Sequence, residues 1–304
     1  MEVTIFGIHL TVHPVAFTLP IGKNGWDVYW YGIIIATGFL LAIIYGRLNA
    51  KRFNLDFDKL LDVIIVTVPV AILCARTYYV IFSGDHISSV SDFFGFSSGS
   101  GFSGIAIYGG VIGAAICGTL MCKLKKINML DALDLAALGF LIGQGVGRWG
   151  NFTNQEAFGA LTGSSFWGMT SANTVKEVGE GLVHPCFLYE SVWCIAGFFV
   201  LHFLSKKRKF SGEVALYYCV WYGFGRAIIE PLRTDSLRIG PFKVSFLLSL
   251  VICIGAAVAL VMIRKRRIEA VRESEYAEVF AEDGEEQPDG QAEKTNNEDG
   301  EENE

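Results

Sequence analysis

The stretch FLYESVWCIAGFFVLHFLSKKRK, residues 187–209, decides how the rest of the chain is read. Its apolar part, about 187–205, is close to the ~20 residues that a helix needs to cross hydrocarbon. It ends on Lys206, Lys207, Arg208 and Lys209, a block of positive charge. An apolar helix followed at once by such a block reads as a membrane span whose basic end stays in the cytoplasm. The whole chain agrees, with 52% hydrophobic residues and only 18% charged over 304 residues, the balance of a membrane domain rather than a soluble core.

Six further stretches of similar length lie on either side, at about 28–46, 60–82, 102–122, 130–148, 213–230 and 242–263. The turns between them alternate sharply in charge. Arg47, Lys51, Arg52 and Lys59 follow the first span, Lys123, Lys125 and Lys126 the third, and Arg264–Arg267 the seventh. With Lys206–Lys209, these turns place 15 of the 25 basic residues on one side, against Lys23, Lys176, Arg233, Arg238 and Lys243 on the other. The fold class this predicts is an all-α integral membrane protein with seven transmembrane helices, N-terminus outside and C-terminus cytoplasmic.

The loop at about 150–186, between spans four and five, is rich in Gly, Thr, Ser and Asn and is expected to form a small extracytoplasmic cap. A second outer segment, Ser83–Ser103, is rich in Ser, Gly and Phe. The net charge of −6 averages two unlike parts, because residues 1–268 carry +7 and residues 269–304 carry −13. The expected division is a seven-helix membrane domain at 1–268 and an acidic, disordered cytoplasmic tail at 269–304. There is no basic region ahead of the first apolar stretch, so no signal peptide is expected. Seven cysteines, most within or at the ends of apolar segments and with no CxxC or Cys/His spacing, read as small hydrophobes rather than a disulfide framework or a zinc site.

Glycines indicate how the helices meet. Gly109 and Gly113 make a GxxxG on the third span, and Gly139, Gly143 and Gly147 continue that spacing on the fourth. Small faces let backbones approach closely in lipid, so packing is the role assigned to them.

Ionisable side chains inside membrane segments cost at least ~2.5 kcal/mol on insertion scales and need a reason. Here they gather toward the outer ends of spans: Arg76 in the second, Arg148 at the end of the fourth, Arg226 and Glu230 in the sixth. Tyr222, Arg226 and Glu230 are spaced i, i+4, i+8, which a helix stacks on one face. For Arg226 and Glu230 alone, a structural ion pair is the competing reading. The Arg148 stretch goes further, setting a guanidinium beside Asn151, Asn154, Gln155 and Glu156 among glycines. Two arginines at similar depth on different helices suit a phosphate-bearing ligand, because the guanidinium fork matches phosphate oxygens and keeps its charge. An apolar bundle around such a site suits a phospholipid.

At these residues the chain resembles the prolipoprotein diacylglyceryl transferases, from about Trp30 to Arg233. Gly147-Arg148-Trp149-Gly150-Asn151-Phe152, followed by Asn154, Glu156 and Gly159, is similar to the family's signature GRxGNFxNxExxG. Trp30-Tyr31-Gly32, Arg76 with Tyr79, His184-Pro185 with Leu188-Tyr189-Glu190, and Tyr222…Arg226…Glu230 match further motifs in the family's order. The resemblance implies a multi-pass enzyme of the bacterial cytoplasmic membrane with no metal or cofactor. Its substrates are phosphatidylglycerol and prolipoprotein signal peptides bearing a lipobox cysteine, and nucleic acid plays no part. The diacylglyceryl group moves to the cysteine as a thioether, and glycerol phosphate leaves. The catalytic residues implied are Arg148, Arg226, Tyr222, Glu230 and Tyr108, with Tyr31, Arg76, Asn151, Asn154, Glu156, Gly159 and Arg233 binding substrate.

Three positions depart from the family's pattern. Tyr108 stands where a histidine is usual, Phe187 where glutamine is frequent, and Cys74 where glycine is usual. A tyrosine is protonated at neutral pH, so thiol deprotonation is expected to rely on Glu230, Tyr222 or water. His184 is expected to cap or turn the chain. Two other readings are a lipid or anion transporter and a relative that binds phosphatidylglycerol without turnover. The transporter is disfavoured by an odd span count, by the lack of a visible repeat, and by polar residues concentrated near one face.

Overall fold

The computed structural model describes residues 1–20, 25–83, 93, 104, 106–234, 238–240 and 242–285, without the side chains of 238, 239, 242 and 271–285. The chain divides into two units, Met1–Val258 and Ala259–Glu304. Its helices are α1 (Trp30–Asn49), α2 (Phe57–Ser83), α3 (Ile107–Leu124), α4 (Met129–Asn154), α5 (Ala172–Val178), α6 (Cys186–Ser205), α7 (Glu213–Ile229) and α8 (Val244–Glu285). Helix α8 begins in the first unit and supplies what is described of the second.

Among the described residues, six helical segments are long and apolar enough to cross a membrane: Trp30–Phe53, Phe57–Ser83, Ile107–Leu124, Met129–Asn154, Cys186–Ser205 and Val244–Ala270. The remaining expected span, 213–230, is the helix α7, whose 17 residues fall just short of the ~20 that hydrocarbon requires. The third begins at Ile107 rather than 102. Most of the expected outer segment Ser83–Ser103 lies outside the described residues. The expected boundary at 268 falls inside α8, which runs on to Glu285. There Lys265 and Glu269 form an i, i+4 pair at 3.9 Å, the spacing at which opposite charges support an exposed helix.

The glycine faces pack as their spacing suggests. In α3, a side chain at Gly109 would run into the carbonyl of Cys74 and the Cβ of Tyr78 on α2, while Gly113 faces the Cys74 side chain. Cys74 therefore packs closely against α3. In α1, a Cβ on Gly38 would lie 3.3 Å from the carbonyl oxygen of Gly143 and 3.3 Å from Val146 on α4. Gly139 and Gly147 meet Ala42 and Ile35 of the same helix.

At one end of the bundle an apolar cluster joins α1, α2, α4 and α6. It holds Phe53, Leu60, Val63, Leu135, Leu138, Leu141 and Leu201. Beside it Asp134, fully buried, accepts from Arg208 Nη1 at 2.9 Å and from the backbone N–H groups of Gly212 and Ala215 at 2.8 Å each. The last two belong to the free first turn of α7, where a carboxylate complements the helix dipole. Arg208 also donates to Asp131 at 2.7 Å and lies 5.1 Å over the Phe53 ring. Burial works against its charge, but Asp134 and Asp131 outweigh it and raise the Arg208 pKa.

A small sheet packs against the start of α6. Strands β1 (Glu2–Ile5) and β2 (Ile8–Thr11) pair antiparallel, joined by Phe6 and Gly7 with φ of 49° and 77°, as a tight hairpin requires. The other edge of β1 pairs with β5 (Met169–Ser171), Val3 opposite Ser171. Val3, Met169, Val183 and Phe187 close a second buried cluster. The cap expected from 150–186 alone is thus built jointly with the first strand of the chain. A second hairpin, β3 (Val15–Leu19) with β4 (Trp26–Tyr29), leads directly into α1, and β6 (Arg238–Ile239) pairs with β7 (Phe242–Lys243) before α8.

Replacing Asp134 by Ala leaves Arg208 and two helix N–H groups buried without their acceptor. The expected loss is about 3–5 kcal/mol of stability, as for removal of one partner of a buried pair. Asp134→Asn should lose less, and thermal unfolding of the two variants in detergent micelles gives the comparison.

Candidate active site

The centre of the site is a carboxylate. Glu190, near the start of α6, is 4% exposed and meets three guanidinium groups from three other segments. Arg148 of α4 pairs through Nη2 with Oε2. Arg226 of α7 donates through Nη1 to Oε1 at 2.7 Å. Arg233, just past the end of α7, donates through Nη1 to the same oxygen at 2.7 Å. Arg226 also reaches forward one turn to Glu230, 2.8 Å from Nη2 to Oε2, and Glu230 is 1% exposed. Among the described residues, three guanidinium groups thus converge on one carboxylate, and one of them is shared with a second.

Local packing explains why these groups meet. Ser191, the residue after Glu190, donates to the Gly145 carbonyl at 2.7 Å and accepts from the Trp149 indole at 3.2 Å. That brackets Arg148 between two fixed points of α4. A Cβ on Gly145 would lie 3.0 Å from Ile195, so the glycine admits α6. Beyond α7 the chain makes a 3-10 turn over Glu230–Leu232, with Pro231 inside it. Lys243 pins that turn, donating through Nζ to the carbonyls of Glu230 at 2.8 Å and Arg233 at 2.6 Å.

Gly159 presses on the same turn from the cap side. It bridges to Arg233 in antiparallel fashion, and a Cβ there would lie 2.6 Å from the Leu232 carbonyl and 2.9 Å from both Cys186 Sγ and His184 Cβ. Its part in the site is to bring the Arg233 backbone close.

The other polar residues of the Arg148 stretch extend the cluster outward. Asn151 accepts from Arg148 Nη1 and donates to Glu156 Oε2, each at 3.4 Å. Asn154 donates to Glu156 Oε1, also at 3.4 Å. These long bonds leave the exposed Glu156 and the two amides able to rearrange around a ligand. Tyr31 of α1 lies against Gly150, where a Cβ would be 2.8 Å from its ring. Tyr222, one turn before Arg226, stacks on Tyr218 at 5.6 Å and 9°, and Tyr218 accepts from Gln144 at 2.9 Å.

Two expected residues stand elsewhere. Arg76, 7% exposed, donates to the backbone carbonyls of Phe93 and Gly104 at 2.8 Å each and lies 5.5 Å over the Tyr79 ring. Its described partners hold the segment between α2 and α3. Tyr108, 42% exposed, is in the first turn of α3, and no described hydrogen bond joins it to the arginines. His184 meets the Tyr189 hydroxyl at 3.2 Å, which itself accepts from Trp167 at 2.7 Å.

The residue that sequence reasoning missed is Glu190. It was visible as part of Leu188-Tyr189-Glu190, and a carboxylate inside an apolar span is itself a signal. Lys243 carries no such mark. Among the described residues, no group of three or more His, Cys, Asp or Glu is placed to hold a metal ion.

Residues 14–262 match the family described as prolipoprotein diacylglyceryl transferase. A phosphatidylglycerol–prolipoprotein diacylglyceryl transferase of Clostridioides difficile is 40% identical over 253 residues, 83% of this chain and 96% of its own length. Relatives of the same name from Pediococcus pentosaceus and Streptococcus sanguinis are 42% and 39% identical over 263 residues, 84% of this chain in both cases and 91% and 97% of theirs. The matched region takes in every residue of the site, from Tyr31 to Lys243.

Replacing Glu190 by Ala should destabilise the fold by about 3–5 kcal/mol, since three arginines lose their shared counter-charge in a confined place. Glu190→Gln keeps the shape and should fall between this variant and the parent in thermal unfolding. Equal stability of all three proteins would contradict the central position given to this carboxylate.

Proposed function

Because the chain belongs to the prolipoprotein diacylglyceryl transferase family, we propose that its arginine cluster binds the phosphate of phosphatidylglycerol and stabilises it as it departs. The protein is a transferase of lipoprotein maturation and a multi-pass membrane protein. The one observation that carries the reading of the site is the convergence of three guanidinium groups, Arg148, Arg226 and Arg233, on the single carboxylate of Glu190. An anion entering there finds donors already aimed and requires little reorganisation, which is how a site comes to favour the transition state over the ground state.

In this reading the acceptor is the lipobox cysteine of a prolipoprotein signal peptide. Its thiolate attacks the glyceryl carbon that bears the phosphate ester. A carbon–sulfur bond forms, the carbon–oxygen bond to phosphate breaks, and glycerol phosphate leaves with the electron pair. The thiol's proton passes to Glu230, directly or through Tyr222 or water. Arg226, paired with Glu230 and one turn from Tyr222, follows the charge as it moves to the phosphate. Arg148 binds the other side of the head group, with Asn151, Asn154 and Glu156 orienting the glycerol. Tyr31 and Gly159 shape the site, and Arg76 acts indirectly, by holding the segment before α3. Tyr108, on the exposed first turn of α3, assists binding at most.

We further place the chain in the bacterial cytoplasmic membrane with seven crossings, α7 being the sixth, and with the N-terminus outside. The basic turns at 47–59, 123–126, 206–209 and 264–267 then all face the cytoplasm. Lipid and preprotein, both embedded in the membrane, reach the site sideways between helices. Residues 269–304 play no part in turnover.

The test is turnover by purified protein in detergent, given phosphatidylglycerol and a lipobox peptide, with mass spectrometry of the peptide. The expected result is a diacylglyceryl mass gain that falls by about 100-fold or more in Arg148→Ala and in Arg226→Ala, the scale of losing one charge-stabilising donor. Tyr108→Phe should retain most of the activity, and so should a chain ending after Arg267. No product from a protein that still binds phosphatidylglycerol would replace this reading with a non-catalytic lipid binder.

A further inference from the structure

Helices α6 and α7 are joined by a contact that the reaction as described does not use. The Trp193 indole N–H donates to the main-chain carbonyl of Trp221 at 3.0 Å, and the Trp221 indole N–H donates to the carbonyl of Trp193, also at 3.0 Å. The two rings stack with centroids 4.6 Å apart and planes 22° from parallel. Each ring lies over a glycine of the opposite helix. A Cβ at Gly197 would run into the Trp221 indole nitrogen, and one at Gly225 into that of Trp193.

This reciprocal clasp differs from ordinary apolar packing in lipid, where one helix face slides on another at small cost. Both N–H groups lose their acceptors if α7 shifts along α6 by one residue, and away from water nothing replaces them. The same shift drives an indole into backbone at Gly197 or Gly225. One axial register satisfies all four residues.

That register places the catalytic charges. Trp193 is one turn beyond Glu190 on α6, and Gly225 immediately precedes Arg226 on α7. The 2.7 Å contact between Arg226 and Glu190 is thus the next contact along from the clasp. We propose that Trp193 and Trp221, seated on Gly225 and Gly197, are positioning residues for the transfer. They set the height of α7 against α6 so that the Arg226 guanidinium stands between Glu190 and Glu230. The inference rests on the transferase reading of the site. Neither tryptophan touches substrate; both act through Arg226.

The experiment uses the full chain with Trp193→Phe, Trp221→Phe and the double variant, which keep an aromatic ring and remove the N–H groups. Phosphatidylglycerol binding sites are counted by equilibrium binding, and turnover is expressed per site. The expected result is a loss of about tenfold in turnover per site for the double variant, smaller losses for the single ones, and little change in KM for the lipid. A clasp that only supports folding would reduce the number of sites and leave turnover per site unchanged, and that outcome overturns the proposal. So does a double variant as active as its parent. An inactive parent protein overturns the transferase reading first, and the role given to the clasp with it. Should the double variant not fold, the two single variants decide by the same ratio.

Discussion

A buried carboxylate surrounded by three arginines is the constraint on which this molecule turns. Guanidinium groups cannot shed their charge under any accessible condition, so bringing Arg148, Arg226 and Arg233 together is possible only around an anion. Glu190 is that anion within the protein. Its position on α6 requires α4 and α7 to flank it at fixed heights, and the remaining contacts follow from that requirement. Ser191 ties α4, the tryptophan clasp ties α7, and Lys243 and Gly159 hold the turn that carries Arg233. Glycine recurs at each of these approaches because the backbones must come close for side chains of ordinary length to converge.

The two ends of the bundle solve opposite problems. At the Asp134 end, one arginine serves two carboxylates, and two backbone N–H groups complete the shell of Asp134. At the Glu190 end, three arginines share one carboxylate, and the outlying Asn151–Glu156–Asn154 contacts are long. The first arrangement is held by bonds of 2.7–2.9 Å, whereas the second ends in bonds of 3.4 Å. The same residue types thus serve both ends of the bundle, and the difference lies in how closely they are bonded.

Much of this was legible in the sequence because hydropathy and charge act locally. The spans, their basic turns and the outlying arginines Arg148 and Arg226 can be read residue by residue, and the glycine spacings foretold which helix faces meet. What stayed hidden depends on partners far away in the chain. Glu190 gathers side chains from positions 148, 226 and 233, and no local pattern announces such a centre. Arg76 donates to backbone carbonyls at 93 and 104, partners that no sequence pattern marks because every residue carries a carbonyl. The strand Glu2–Ile5 is too short to signal itself, and its partner lies at Met169–Ser171. The continuation of α8 past 268 lies in a region whose acidity dominated the reading.

The pairing of the first strand with Met169–Ser171 also bears on how the chain is made. Ribosomes deliver residues 2–5 long before residues 169–171, and α1, α2, α3 and α4 are all synthesised in between. On the proposed topology the hairpin of β1 and β2 is exported first, and the other edge of β1 then waits until the fourth span has been inserted. Strand closure is therefore a late step in biogenesis. The Arg233 turn that meets Gly159 is made later still, so the charge cluster closes after the strand.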